Sequence, residues 1–320
     1  MTDSVPRISV IMAVYREPIE WIRSSIDSIL VQTFDDFEFV IVCDAPDYKE
    51  CVELLQIYNA IDERIVLLIN KMNLGLTKSL NKALEKARGK YIARMDADDI
   101  SMPNRFKEQY LYMENHSKVI VLGSQIKYIG NVPRWKQTDS IKYNNDDIKA
   151  QLLFGNCIVH PTVMIRKEVL DKKHIRYDEG YRHSQDYRLW EQLKDYGDFL
   201  NLKDVLLKYR VSEQQITSTN KTSQCDLSKN VTLRLQKQWF EKSGYNFTIE
   251  ELECEPSKIL KRIKQDQCVT KTKEFRAYIQ FVYLNLFEGQ RYILSFILED
   301  WKYMTCWNVI RYLRKALIKK

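Results

Sequence analysis

Four continuous apolar runs, "RISVIMAVY" (7–15), "FEFVIVC" (37–43), "RIVLLIN" (64–70) and "KYIARM" (90–95), punctuate the first 95 residues at near-even intervals. Runs of this length and Val/Ile content fit strands covered on both faces, since a strand with one wet face alternates apolar with polar residues. Between them lie segments with helical spacing. Pro18 opens "PIEWIRSSIDSILVQ", where Ile19, Ile22, Ile26, Ile29 and Leu30 recur every few residues. "YKECVELLQIYNA" (48–60) and "GLTKSLNKALEKARG" (75–89) also read as helices, the second with Gly89 as its C-terminal stop. Strand and helix in alternation, joined by short links, point to a parallel α/β sheet over the first ~115 residues. No Gly-x-Gly-x-x-Gly follows the first run, so the dinucleotide fingerprint is missing.

In open α/β sheets, ligands bind beyond the carboxyl ends of the strands. Asp44 ends the second run, and Asp96, Asp98 and Asp99 crowd behind the fourth. Three carboxylates so close repel one another unless a cation neutralises them. They form either a solvated acidic turn leading into the next helix or a site for a hard divalent metal, Mg²⁺ or Mn²⁺, with oxygen ligands. A metal there that bridges a diphosphate offsets charge developing on a nucleoside-diphosphate leaving group.

Beyond residue 119 the pattern changes. "VIVLGSQIKYIG" reads as a strand or hairpin and "TVMIRKEVL" (162–170) as a strand entering a helix. "SQDYRLWEQLKDYG" (184–197) reads as a helix with Leu189, Leu193 and Tyr196 on one face, and "NLKDVLLKYRV" (201–211) as a final strand. Polar residues 212–224 form a linker, and 226–320 look mostly helical. The expected organisation is an α/β domain over 1–215 and a helical C-terminal region over 216–320. The net charge of +7 is uneven, with 19 basic and 11 acidic residues in 216–320.

In "WKYMTCWNVIRYLRKALIKK" (301–320) a helical wheel puts Met304, Cys306, Ile310, Leu313 and Leu317 opposite Arg311, Lys315 and Lys319. Such a basic amphipathic helix, with four aromatic rings, either docks on an anionic membrane surface or packs on protein. No recognised module accompanies the charge, so nucleic acid is not expected as a partner. Seven scattered cysteines with no Cys-x-x-Cys pair read as reduced thiols. With no signal-peptide pattern and no apolar run near ~20 residues, the expected location is cytoplasmic, on the inner membrane face where the tail docks on lipid and free of it where the tail packs on protein.

Six segments in order carry a resemblance: "ISVIMAVYRE", "ILVQTFDDFEFVIVCDAPD", "NLGLTKSLNKALEKARGKYIARMDADDISMPNRFKEQ", "NCIVHPTVMIRKEVL", "SQDYRLWEQL" and "VLLKYRVS". Together they resemble glycosyltransferase family 2, in particular the bacterial branch that builds surface polysaccharides, over roughly residues 7–212. The resemblance implies a GT-A fold, Rossmann-like, with a C-terminal mostly helical extension. It implies an inverting, metal-dependent transfer of one sugar from a nucleotide-sugar, a UDP-sugar foremost, to a lipid-linked glycan acceptor.

Residue by residue, it implies that Ala13, Tyr15 and Glu17 begin the nucleotide pocket and that Asp44 bonds the uracil edge. Asp96 and Asp98 match the Asp-x-Asp pair, Asp98 as metal ligand and Asp96 toward both metal and ribose, while Asp99 either joins them or caps the next helix. Asp186 matches the general base that deprotonates the acceptor hydroxyl. Gln185 stands where the family usually has Glu, and Ser212 where many relatives have His, leaving Arg210 as a diphosphate contact or a structural ion-pair partner. His160 falls in a segment lining the acceptor side or packs structurally. Two other classes use the same acidic residues differently: a metal-dependent phosphohydrolase or phosphotransferase, and a catalytically inactive sugar-nucleotide-binding scaffold.

Overall fold

The computed structural model describes residues 5–132, 141–212 and 221–279, apart from 265 and 277. They fall into two compact units: one built from residues up to Asn145 and from Cys157–Leu227, the other from Asp146–Asn156 and residues from Ser228 onward. The second unit therefore takes an eleven-residue piece from the middle of the chain, which no single boundary along the sequence describes.

The first unit is one eight-stranded sheet. It begins β1 (Ile8–Val14), α1 (Ile19–Leu30), β2 (Phe37–Cys43), α2 (Lys49–Ile61), β3 (Ile65–Ile69), α3 (Leu76–Lys86) and β4 (Tyr91–Arg94). Then come β5 (Ile100–Ser101), α4 (Arg105–Asn115), β6 (Val119–Gly130), β7 (Met164–Arg166), α6 (Lys167–Lys172), α7 (Gln185–Leu193) and β8 (Asp198–Val211), with α5 (Asn145–Leu152), which from Asp146 on belongs to the second unit, between β6 and β7 in the chain. The strand order is β3-β2-β1-β4-β7-β6-β8-β5. The four apolar runs pair in parallel, as their two-sided burial requires. β7 then pairs antiparallel to both β4 and β6, so the sheet is mixed beyond β4.

Ile22, Ile26 and Ile29 of α1 are buried with Val10, Met12 and Phe39 in the main core. Burying such side chains contributes roughly 1.5–3 kcal/mol each, which fixes the face of α1 that meets the sheet. Three local readings differ from the structure. Helix α3 ends at Lys86, where Ala87 turns extended. Gly89 is no helix stop; it lets two backbones touch, since a Cβ there would lie 2.5 Å from Ser9 N. Tyr196 lies past the end of α7 and is exposed, whereas Leu189 and Leu193 are buried.

The second unit resumes at Ser228, within α8 (Lys221–Lys242), and continues through α9 (Ile249–Cys254), α10 (Pro256–Ile263) and α11 (Gln267–Thr270). Phe240, Phe247, Leu252, Ile263, Phe275 and Tyr278 form its core. Thr248 starts α9 with a reciprocal capping box to Glu251. Gln236 donates to the Leu153 carbonyl at 3.0 Å, tying in the inserted segment. The amphipathic tail read over 301–320 lies outside the described residues.

Candidate active site

Asp44 stands directly after β2 and is buried. Its Oδ1 accepts from Asn70 Nδ2 at 2.7 Å and from Leu74 N at 2.8 Å, and its Oδ2 from Gly75 N at 2.8 Å. Gly75 has φ +86°, the left-handed region that glycine enters without a Cβ penalty. Asn70 also donates to Ser79 Oγ and accepts from Lys82 Nζ at 2.7 Å. One carboxylate thus latches the loop before α3, with about one of its four acceptor positions left.

The end of β4 is built differently. Five residues, Met95–Asp99, run from β4 in the sheet interior to β5 at its far edge. The carboxylates of Asp96, Asp98 and Asp99 each offer an oxygen within 4.8 Å of the others. Asp99 is fully buried; its Oδ1 accepts the Arg210 backbone N–H at 2.8 Å, and its Oδ2 has no hydrogen-bond partner. Burial, and then the charges of Asp96 and Asp98, push its carboxyl well above the usual range. It does not cap α4, which starts behind Asn104.

Ser25 and Ser28 on α1, and Gln32 just past its end, hold this turn and the residues that follow it. Ser25 Oγ donates to the Asp96 carbonyl at 2.8 Å, and Ser28 Oγ accepts from Ser101 N at 3.0 Å. Gln32 donates to Met102 O and accepts from Phe106 N. Arg210 on β8 donates through Nε to the Asp98 carbonyl at 2.7 Å, and its guanidinium lies 4.7 Å over the Trp21 ring. Below the turn, fully buried Arg94 places Nη2 2.5 Å from Asp96 Oδ1.

Ala13 is the penultimate residue of β1, at the same end of the sheet. Tyr15 is exposed, and its N–H donates to Glu17 Oε2 at 2.8 Å. Burial raises the Glu17 carboxyl, more than that N–H lowers it. Asp186 occupies the first turn of α7, and its Oδ1 accepts the Tyr187 N–H at 2.8 Å. The residue before Gln185, Ser184, has φ +62°, an uncommon conformation for a residue with a Cβ. Burial raises the Tyr177 hydroxyl above the usual phenol range, with Arg94, Asp186 and Asp96 as the charges that act on it. That hydroxyl lies 2.7 Å from His160 Nε2, and the His160 ring sits edge-on to Trp190. Burial, and then the Arg94 charge, hold the imidazole well below its ordinary value.

The fold therefore brings Asp96, Asp98, Asp99 and Arg210 together and buries the Tyr177 hydroxyl against His160. Asp44 stands apart from them, at the end of β2. Sequence reading missed Ser25, Ser28 and Gln32. Their signal was polarity at positions 25 and 28, among the apolar residues of α1, and at 32 just past its end. Arg94, a lone cation inside an apolar run, was a second such signal.

The sequence profile described as "Glycosyl transferase family 2" matches residues 9–173. An uncharacterized glycosyltransferase of Methanocaldococcus jannaschii is 41% identical over 211 residues, covering 64% of this chain and 71% of its own. The O-antigen biosynthesis glycosyltransferase WbnJ of Escherichia coli is 37% identical over 221 residues, covering 68% of this chain and 83% of its own. Among solved structures, S. aureus TarS 1-349 in complex with UDP-GlcNAc superposes with a TM-score of 0.56 at 18% identity, over 96% of this chain and 89% of that one. The mannosyltransferase PcManGT from Pyrobaculum calidifontis, in complex with GDP-Man and Mn²⁺, gives 0.53 at 13% identity, over 99% and 87%. At these identities the structural likeness concerns the fold, GT-A.

Proposed function

The chain belongs to glycosyltransferase family 2, and from that premise we propose that it moves one sugar from a nucleotide-sugar to a glycan hydroxyl with inversion, using a divalent metal. The observation that carries the metal is the Asp96–Asp99 turn. Its three carboxylates converge, and Asp99 Oδ2 is buried with no partner, which an oxygen-seeking cation would supply. Asp98 and Asp96, with Asp99 beneath them, would hold Mg²⁺ or Mn²⁺. Bound there, the ion would balance charge on the departing diphosphate.

The chain's own groups account for the rest. In a single in-line displacement the acceptor oxygen bonds to the anomeric carbon as the bond to diphosphate breaks, its electron pair leaving with the diphosphate. The acceptor proton needs a base, and the Asp186 carboxylate, steadied by the Tyr187 N–H, takes it. Arg210, Ser25 and Ser28 hold the turn in place rather than leaving Arg210 wholly to the diphosphate. Ala13, Tyr15, Glu17 and Asp44 border the nucleotide at the β1 and β2 ends. Asp44's remaining acceptor position suits a base-edge N–H such as that of uracil.

The relative named for O-antigen biosynthesis supports a polysaccharide role, and we place the acceptor on a lipid-linked glycan at the cytoplasmic membrane face. No helix among the described residues is long and apolar enough to cross a membrane. Attachment through the basic 301–320 segment is tested by co-sedimentation with anionic liposomes at low and high salt.

The deciding experiment is a panel of UDP- and GDP-sugars assayed for hydrolysis with Mn²⁺ and with EDTA, since donor hydrolysis needs no acceptor. Calorimetry of UDP with Mn²⁺ accompanies it, and Asp98→Asn should lose at least about tenfold in affinity with the fold intact. Unchanged affinity would remove the metal assignment.

A further inference from the structure

Arg94 is the last residue of β4, two positions before Asp96, so both side chains leave the same side of the extended chain. It is fully buried and touches Asp96 through Nη2, yet its Nε and Nη1 have no hydrogen-bond partner. Buried polar groups are normally satisfied, so an arginine kept for hydrogen bonding would use all five donors. Arg105, the other buried guanidinium near the turn, does the expected thing: it donates to Gln109 Oε1, to the Arg94 carbonyl and to the Met95 thioether Sδ. Arg94 instead faces charge, within electrostatic reach of Asp96, Tyr177 and Asp99. What Arg94 brings to Asp96 is therefore its charge more than its hydrogen-bonding capacity.

We propose that Arg94 is a resident counter-ion, a positioning residue that keeps the Asp96–Asp99 turn assembled without metal and sets how weakly the turn holds a free divalent cation. This rests on the metal reading of the turn. A purely structural arginine, once removed, would weaken folding and metal binding together. A counter-ion gives opposite signs: its loss makes the metal-free turn less stable, and makes the turn more attractive to a cation.

The test compares the full-length wild type with Arg94→Met and Arg94→Lys. Melting is measured in EDTA and in Mn²⁺, and calorimetry uses Mn²⁺ alone and Mn²⁺ with UDP. Arg94→Met should melt about 10 °C lower in EDTA, recover most of that loss in Mn²⁺, and bind Mn²⁺ alone at least about tenfold tighter. Arg94→Lys, which keeps the charge, should stay near wild type in Mn²⁺ affinity. An equal melting loss with and without Mn²⁺, or no gain in Mn²⁺ affinity, overturns the inference while wild-type binding of UDP with Mn²⁺ leaves the metal reading standing. A wild type that binds UDP identically with Mn²⁺ and EDTA overturns both. Should Arg94→Met fail to fold without metal, it should fold when produced in Mn²⁺ or when combined with Asp96→Asn; failure in both overturns the inference.

Discussion

At the end of β2, the buried Asp44 has both oxygens engaged by Asn70, Leu74 and Gly75, with about one acceptor position to spare. At the end of β4, the buried Asp99 has one oxygen held by the Arg210 backbone and one with no partner, beside two more carboxylates. Both are acids at the carboxyl end of a parallel strand, where α/β sheets place ligands. The first closes a loop with the chain's own N–H groups. The second leaves a need that the described residues do not fill. The difference separates an acid that shapes a pocket from acids that await a ligand, and burial alone does not reveal it.

The largest effect should fall outside both strand ends. Asp186→Asn should cut sugar transfer by about 10²–10⁴-fold, the range for losing a general base, with UDP binding in Mn²⁺ unchanged. Steady-state kinetics beside calorimetry checks this. Loss of UDP binding would instead tie Asp186 to the donor and blur the division between binding and chemistry.

Next, the same isosteric change should act oppositely at the two ends. Asp44→Asn sets an amide among donors that need acceptors and should cost about 3 kcal/mol, as charge-assisted bonds are lost. Urea denaturation should show that loss equally in EDTA and in Mn²⁺. A loss confined to one condition would mean that Asp44 belongs functionally with the acidic turn.

A third effect belongs to neither end and has to be separated from both. The imidazole of His160 is depressed in the folded chain, so on acidification the unfolded chain takes a proton that the folded chain refuses. Its contribution is intact above the unfolded value near 6.5 and is lost below it, by up to about 1.4 kcal/mol per pH unit until the folded value is reached. Urea midpoints between pH 7.5 and pH 5 should slope accordingly, and His160→Gln should flatten the slope. An unchanged slope in the variant would assign the acid sensitivity to the carboxylates.

The smallest effect sharpens the comparison most. Asp99→Asn in EDTA should change stability by less than about 1 kcal/mol, or raise it, because it removes a buried carboxyl whose charged form burial, Asp96 and Asp98 all disfavour. In Mn²⁺ the same variant should lose the stabilisation that the metal gives the wild type. Melting curves with and without Mn²⁺ measure both, and a large metal-free loss would show Asp99 to be as fully used as Asp44.

Much of this was legible along the chain. The strands β1 to β4 and their parallel pairing follow from continuous apolar runs and helical spacing, because two-sided burial demands both. Asp96, Asp98 and Asp99 are neighbours in sequence, so their mutual repulsion is a property of the covalent chain. Ordered motifs also identified the family, which the profile match over residues 9–173 establishes. Other features depend on partners far away in sequence. Asp44 reads the same on paper whether a ligand or Leu74 and Gly75 fill it, and only folding brings those N–H groups to its oxygens. Arg210 meets the acidic turn across more than a hundred residues, and Arg94 acquires its meaning from burial beneath Asp96. The sequence determined which charges exist and which strands must be covered. Tertiary structure decided which of those charges are satisfied, since hydrogen bonds and desolvation act between groups that only the fold makes neighbours.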